Sequence, residues 1–174
     1  MRDELGSHDS LGDAILLHLD AAYNLARWLT RDATDAEDVV QESVLRALKY
    51  GAGFAGEDVR PWLLKIVRNT GYAFLSKNRG WSEFDELEHG GSMDDTETVE
   101  IAKLDATRLK ELLFALPTEY REVLILRELE GLSYREIADI ADIPVGTVMS
   151  RIARARQRLR NDASRQAKVH EHEL

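Results

Sequence analysis

Ser133-Tyr134-Arg135-Glu136-Ile137-Ala138, a break at Asp142-Ile143-Pro144, and Val145-Gly146-Thr147-Val148-Met149-Ser150-Arg151-Ile152 form the stretch whose reading decides the fold. Ser133 stands three residues before Glu136, the spacing of a capping box, in which the hydroxyl takes one free amide and the carboxylate reaches back to another. It opens a short helix carrying Ile137, Ala138 and Ala141 on one side. Pro144 fits the first turn of a following helix, where the amide that proline lacks would be unpaired anyway. At about 100° per residue, Val145, Val148, Ile152, Ala155 and Leu159 fall within one arc of that helix. Thr147, Ser150, Arg151, Arg154 and Arg158 fall within another, roughly 120° away. A short capped helix, a tight turn and a second helix with a polar face make a helix-turn-helix, whose second helix enters the major groove of DNA. Arginine suits that face because its planar fork bonds guanine edges or clamps phosphate. The competing reading, an arginine face that is merely solvated, leaves the capped helix and the break before it without a purpose.

Working outward, the chain has three prolines, at 61, 117 and 144, and each stands where a helix can begin. Upstream of the motif, Leu109, Leu112, Leu113 and Leu116 recur at helical spacing with Ile101 and Leu104, and Thr118 to about Glu130 gives a further helix. Gly131 ends it, at a position where a left-handed cap needs glycine. The first 80 residues repeat the helical pattern. Ile15, Leu19, Ala22, Ala26 and Leu29 form one stripe; Val40, Val44 and Leu48 form a second, after a capping box read at Thr34-Asp35-Ala36-Glu37. A third helix is expected from Pro61, with Trp62, Ile66 and Ala73 beside Leu63, Val67 and Phe74, fraying by Asn78-Arg79-Gly80. The last helix is expected to end near Arg160, with a polar tail beyond. No alternating strand pattern is present, so the fold class is all-α.

Between the blocks the composition turns to Gly, Ser, Asp and Glu, as in Gly90-Gly91-Ser92-Met93-Asp94-Asp95. Such a stretch cannot bury enough apolar surface to offset its ordering entropy. The division expected is 1–80 for a first helical domain, 81–100 for an acidic flexible linker on which Trp81 and Phe84 are the exceptions, and 101–174 for a second domain with its tail. The net charge of −9 is concentrated accordingly. Residues 1–80 carry 10 basic and 12 acidic side chains, residues 81–107 carry 1 and 9, and residues 108–174 carry 12 and 11. Both blocks are therefore near neutral.

Composition excludes several functions. Charged residues at 32%, with no long apolar run, exclude a membrane-inserted protein. The acidic start Met1-Arg2-Asp3-Glu4 is not a signal peptide. The chain has no cysteine, which removes disulfides, thiolate zinc sites and cysteine nucleophiles and fits a cytoplasmic location. No phosphate-binding glycine loop or nucleophile elbow occurs, and the histidines are scattered. An enzyme is not expected, nor a metal or other cofactor.

Leu116-Pro117-Thr118-Glu119-Tyr120-Arg121-Glu122-Val123-Leu124, Gly131 to Ala138 and Ile143 to Val148 resemble region 4 of extracytoplasmic-function (ECF) sigma factors. Asp35-Ala36-Glu37-Asp38-Val39-Val40-Gln41-Glu42 resembles region 2.2 of that family, and Phe54 through Arg79 resembles regions 2.3 and 2.4. The similarity spans roughly 12–79 and 107–160, in the family's order. It implies a dissociable subunit that gives bacterial core RNA polymerase its promoter preference, monomeric when free and held by an anti-sigma factor. Asp35, Asp38, Gln41 and Glu42 would then face core polymerase, although acidic residues also favour a helix N-terminus. The loop Phe54–Val59 and the helix after it correspond to the minus-10 reader, with Phe54, Arg60, Trp62, Lys65, Arg68 and Asn69 as its candidates. Lys65 and Arg68 would meet phosphates and Asn69 a base edge; Trp62 could equally be core. In region 4 the minus-35 candidates are Thr147, Met149, Ser150, Arg151, Arg154 and Arg158, with Tyr134 and Arg135 bracing the backbone. Many relatives carry a lysine where this chain has Met149, so an apolar contact would replace a polar one. A stand-alone helix-turn-helix regulator with an N-terminal sensing domain is the alternative, and it leaves Asp35–Glu42 and Phe54–Arg79 unexplained.

Overall fold

The described residues of the chain's computed structural model are 11–51, 54, 58–79 and 105–172, with side chains up to 165 and not at 79. Among them there is no strand. A short helical stretch over 11–16 precedes seven longer helices: α1 (Leu19–Thr30), α2 (Ala33–Tyr50), α3 (Val59–Arg79), α4 (Ala106–Ala115), α5 (Thr118–Glu128), α6 (Tyr134–Ala141) and α7 (Val145–His172). The expected linker over 81–100, its Trp81 and Phe84, and Ile101 and Leu104 lie outside the described residues.

The first three helices pack mutually. Ala22, Ala26 and Leu29 of α1 meet Ala36, Val39 and Ala47 of α2 and Leu63, Leu64 and Val67 of α3, and all are buried. Alanines at these positions let the helix axes approach closely. Of the stripe expected from Val40, Val44 and Leu48, the two valines are half-buried against the core and Leu48 is exposed, while the centre of the buried side lies one position away, at Ala36, Val39, Ser43 and Ala47. The N-cap of α2 also differs. Asp32 accepts the Asp35 amide at 3.0 Å, so the helix begins before Thr34, and no threonine box forms.

In the second block, α4 is capped by Asp105, whose carboxylate accepts the Arg108 amide at 2.8 Å. The Ser133–Glu136 box is fully formed, with Ser133 N to Glu136 Oε2 at 2.7 Å and Glu136 N to Ser133 Oγ at 3.2 Å. The Ser133 hydroxyl and then the Ser133 amide, both beside the Glu136 carboxylate, hold it below its ordinary pKa. Gly131 has φ +66°, the left-handed turn expected of it. Val148, Ile152, Ala155 and Leu159 of α7 are buried as expected, whereas Val145 is exposed. The last helix does not stop near Arg160. It runs to His172, and Ala163 and Ser164 on its extension are buried.

The two blocks are in contact, and their buried apolar residues form one continuous cluster. Helix α1 packs on α5, and α3 packs on α6. This position makes α5 central, with every residue from Glu119 to Leu126 buried. Arg121 is 1% exposed and donates to the Trp28 carbonyl of α1 at 2.7 Å and the Leu116 carbonyl at 2.8 Å, so one guanidinium ties the blocks together. Burial, and then the nearby Arg31 charge, bring its pKa down to about 10.

Candidate nucleic-acid interface

Three surfaces carry the candidate residues. The first is the outer face of α2. Asp38, Gln41 and Glu42 are exposed there and Asp35 is half-buried; Glu42 pairs with Arg46 one turn on, at 2.7 Å. Leu45, 63% exposed, and Leu48 continue the same face. Sequence reading missed Leu45 and assigned Leu48 to the core. Carboxylates beside exposed leucines make a surface for protein rather than DNA, because phosphate would be repelled and the leucines would stay wet.

The second surface is α3. Phe54 and Trp62 pack with ring centroids 4.6 Å apart, and both are half-buried, so Trp62 lies against the core with part of its ring open. Asn69 is exposed. Arg60, Lys65 and Arg68 are each engaged by the second block. Arg60 Nη2 lies 2.6 Å from Glu130 Oε2 and 2.7 Å from the Glu130 carbonyl. Lys65 Nζ lies 3.4 Å from Asp139 Oδ1. Arg68 makes a forked pair with Glu122 at 3.1 and 3.2 Å, and stacks over Tyr72 at 4.4 Å. Burial works against the Arg68 charge, but the Glu122 carboxylate more than offsets it, so the Arg68 pKa lies above its ordinary value. Glu122 is fully enclosed; burial pushes its carboxyl up against the pull of Arg68. Tyr72 beside them is raised well above the ordinary phenol value, by burial first and then by Glu122 and Glu119.

The third surface is the N-terminal half of α7. Its solvent face carries Gly146, Met149, Ala153 and Arg154, with Met149 52% exposed. Thr147, Ser150, Arg151 and Arg158 are half-buried: Arg151 lies within electrostatic reach of Glu119 and Glu122, and Arg158 sits over the Tyr120 ring at 5.3 Å. The open face is therefore turned from the arginine arc toward Met149. On α6, Arg135 is exposed, while the Tyr134 ring lies under Arg127 at 4.7 Å. An apolar groove, also unforeseen, runs between α4, α5 and α7, lined by Leu109, Leu113, Leu124, Ile125 and Leu159. Among the described residues, no group of three or more His, Asp or Glu is placed to hold a metal ion, and no helix is long and apolar enough to cross a membrane.

Residues 14–80 match the family model of Sigma-70 region 2, and residues 106–159 match that of Sigma-70, region 4. The chain is 37% identical over 140 residues to the ECF RNA polymerase sigma-E factor of Escherichia coli K12, covering 73% of each chain. To the sigma-E factor of Haemophilus influenzae it is 36% identical over 150 residues, covering 79% of this chain and 78% of that one. Among solved structures it is similar to the sigma factor RpoE in complex with the anti-sigma factor NepR from Bartonella quintana, with TM-score 0.66, 29% identity, and 84% and 92% of the two chains covered. The structure of CnrH in complex with the cytosolic domain of CnrY gives TM-score 0.66 at 26% identity, with 94% and 92% covered.

Proposed function

The chain belongs to the ECF sigma factors, and from that premise we infer that its two helical blocks divide the work of promoter recognition. It is an RNA polymerase sigma factor, and regions 2 and 4 imply binding to core polymerase and promoter DNA. Within that activity, residues 1–80 bind core polymerase and read the minus-10 element, 81–100 connect, and 101–174 read the minus-35 element. The face of α2 with Asp35, Asp38, Gln41 and Glu42 docks on core polymerase, and the exposed Leu45 beside them supplies apolar area to that contact. Arg60, Lys65 and Arg68 meet strand phosphates, Asn69 a base edge, and Phe54 with Trp62 a displaced base, since base–aromatic stacking captures single strands. Tyr134 and Arg135 brace the duplex backbone.

The observation that carries the minus-35 assignment is the solvent face of α7, which follows the box-capped α6 and is open at Gly146, Met149 and Arg154. Small residues at 146 and 153 let the helix axis come close to base edges. Met149 there meets a thymine methyl, the apolar mark of the major groove. Thr147, Ser150, Arg151 and Arg158, which are partly covered, take the flank of the same contact. The protein is a cytoplasmic monomer when free and does no chemistry of its own. An anti-sigma factor controls it, a reading supported by its likeness to a sigma factor solved with one.

The test is transcription from a promoter pool randomised through both elements, by holoenzymes carrying the native chain or Met149→Lys. The variant is expected to change the preferred base at one minus-35 position by about 1–3 kcal/mol of discrimination, leaving the minus-10 selection as it was. Identical selections from the two holoenzymes would contradict the assignment.

A further inference from the structure

The apolar groove between α4, α5 and α7 serves neither promoter contact, since none of its lining residues belongs to α3 or to the Met149 face of α7. It offers about 580 Å³, within the range of small-molecule sites. Leucine and isoleucine line it, and Leu129 on its wall is 58% exposed. One edge differs in kind. There Trp28 packs on Phe114 at 4.9 Å, and Arg27, Arg31 and Lys110 bring their charges to 5.7, 5.8 and 5.7 Å from the Phe114 ring centre. Trp28 and Lys110 themselves line the groove, which places these charges at its edge.

Among the described residues, none of the three cations has a carboxylate partner, whereas Arg156 on the same rim pairs with Glu128. Arg27 Nη1 is buried there and meets no hydrogen-bond acceptor among the described residues. A buried N–H without an acceptor costs free energy that an anion beside it would recover. Arg121, also 5.8 Å from the ring, adds positive charge while its donors are taken by backbone carbonyls.

We propose that the groove binds a single-chain amphiphile with an anionic head, of the fatty-acid class, its tail along the leucines and its head on Arg27, Arg31 and Lys110. Other chemistries fit only half of the site. A nucleic-acid strand would leave the leucines wet, and a neutral lipid would leave three cations without a counter-charge. A nucleotide would bury polar base edges against side chains that offer them no hydrogen bond, at a cost for each group. A carboxylate suits the edge because its two oxygens accept from an arginine fork and an ammonium together. The ligand would touch α1 and α4 at its head and α5 and α7 along its tail. It gives the chain a small-molecule input apart from DNA and protein partners, and it depends on neither the minus-10 nor the minus-35 assignment.

Sodium dodecanoate, kept below its micellar concentration and titrated calorimetrically into the full-length chain, should fill one saturable site. Arg31→Gln/Lys110→Gln should weaken that binding at least about tenfold, through the loss of charge-assisted contacts. Both residues are exposed, and circular dichroism checks that helical content is kept. Leu129→Glu, also at an exposed position, should weaken it as well, by setting a like charge in the groove. Dodecyltrimethylammonium, with the same tail and the opposite charge, should bind at least about tenfold more weakly than dodecanoate. Equal dodecanoate binding by the native chain and Arg31→Gln/Lys110→Gln would overturn the proposal. So would equal binding of the two head groups, which would leave an apolar face suited to a partner helix and no anion site. Absence of saturable dodecanoate binding would overturn it too.

Discussion

Replacing Arg121 with leucine is expected to lower the unfolding free energy by about 3 kcal/mol. The guanidinium is 1% exposed, and its hydrogen bonds run to the carbonyls of Trp28, Leu116 and Phe114 and to the Thr118 hydroxyl. Leucine removes all of these donors together. The Leu116 and Trp28 carbonyls then stay dry without a partner, at about 1–3 kcal/mol each. Part of that loss is offset, because the charged group no longer has to be desolvated and leucine gains apolar contact. Arg121→Lys should recover little, since a single ammonium cannot span acceptors that the planar fork reaches at once. Urea denaturation followed by circular dichroism checks this, and a loss under about 1 kcal/mol would show that water replaces the missing donors.

Arg154→Ala should weaken holoenzyme binding to its preferred minus-35 element by about 1–3 kcal/mol, roughly 5- to 150-fold, and relax selection at one position. Arg154 is the candidate arginine of α7 that the fold leaves exposed near Met149. Its fork can meet a guanine edge bidentately, a contact that alanine cannot replace by any local adjustment. Arg151→Ala gives the internal comparison. Arg151 is engaged near Glu119 and Glu122 in the packed chain, so a base-specific loss there requires that arginine to be released first. Competition binding of the holoenzyme to promoter duplexes with single substitutions checks both. If Arg154→Ala lowers affinity equally for every sequence, the residue contacts phosphate and not a base.

Features set by neighbours along the chain were legible in the sequence. The Ser133–Glu136 box, the left-handed Gly131 and the helix starting after Pro144 depend on residues a few positions apart, and each formed as read. The phase of α2 was misread because small residues give little hydropathy signal: Ala36, Ser43 and Ala47 line its buried side, while Leu45 and Leu48 face outward. Its cap was misread for a related reason, since Asp32 and Thr34 are both good caps and local sequence does not choose between them. The partners of the α3 cations were not legible at all. Arg60 and Glu130 are 70 residues apart, Lys65 and Asp139 74, and Arg68 and Glu122 54. Residues this distant meet only through the packing of two blocks that the sequence pattern reads as separate. Arg121 was illegible for the same reason: within Tyr120-Arg121-Glu122 it looks like a solvated helix charge until α1 is laid over it.

The most direct test of the whole account is transcription from a pool of bacterial promoters by sigma-free core RNA polymerase, with and without this chain, with every start site mapped. The account predicts new, sequence-selective starts only when both components are present, each preceded by two shared elements. A specific footprint by the protein alone, on duplex DNA and without core polymerase, together with no new starts in its presence, would contradict it.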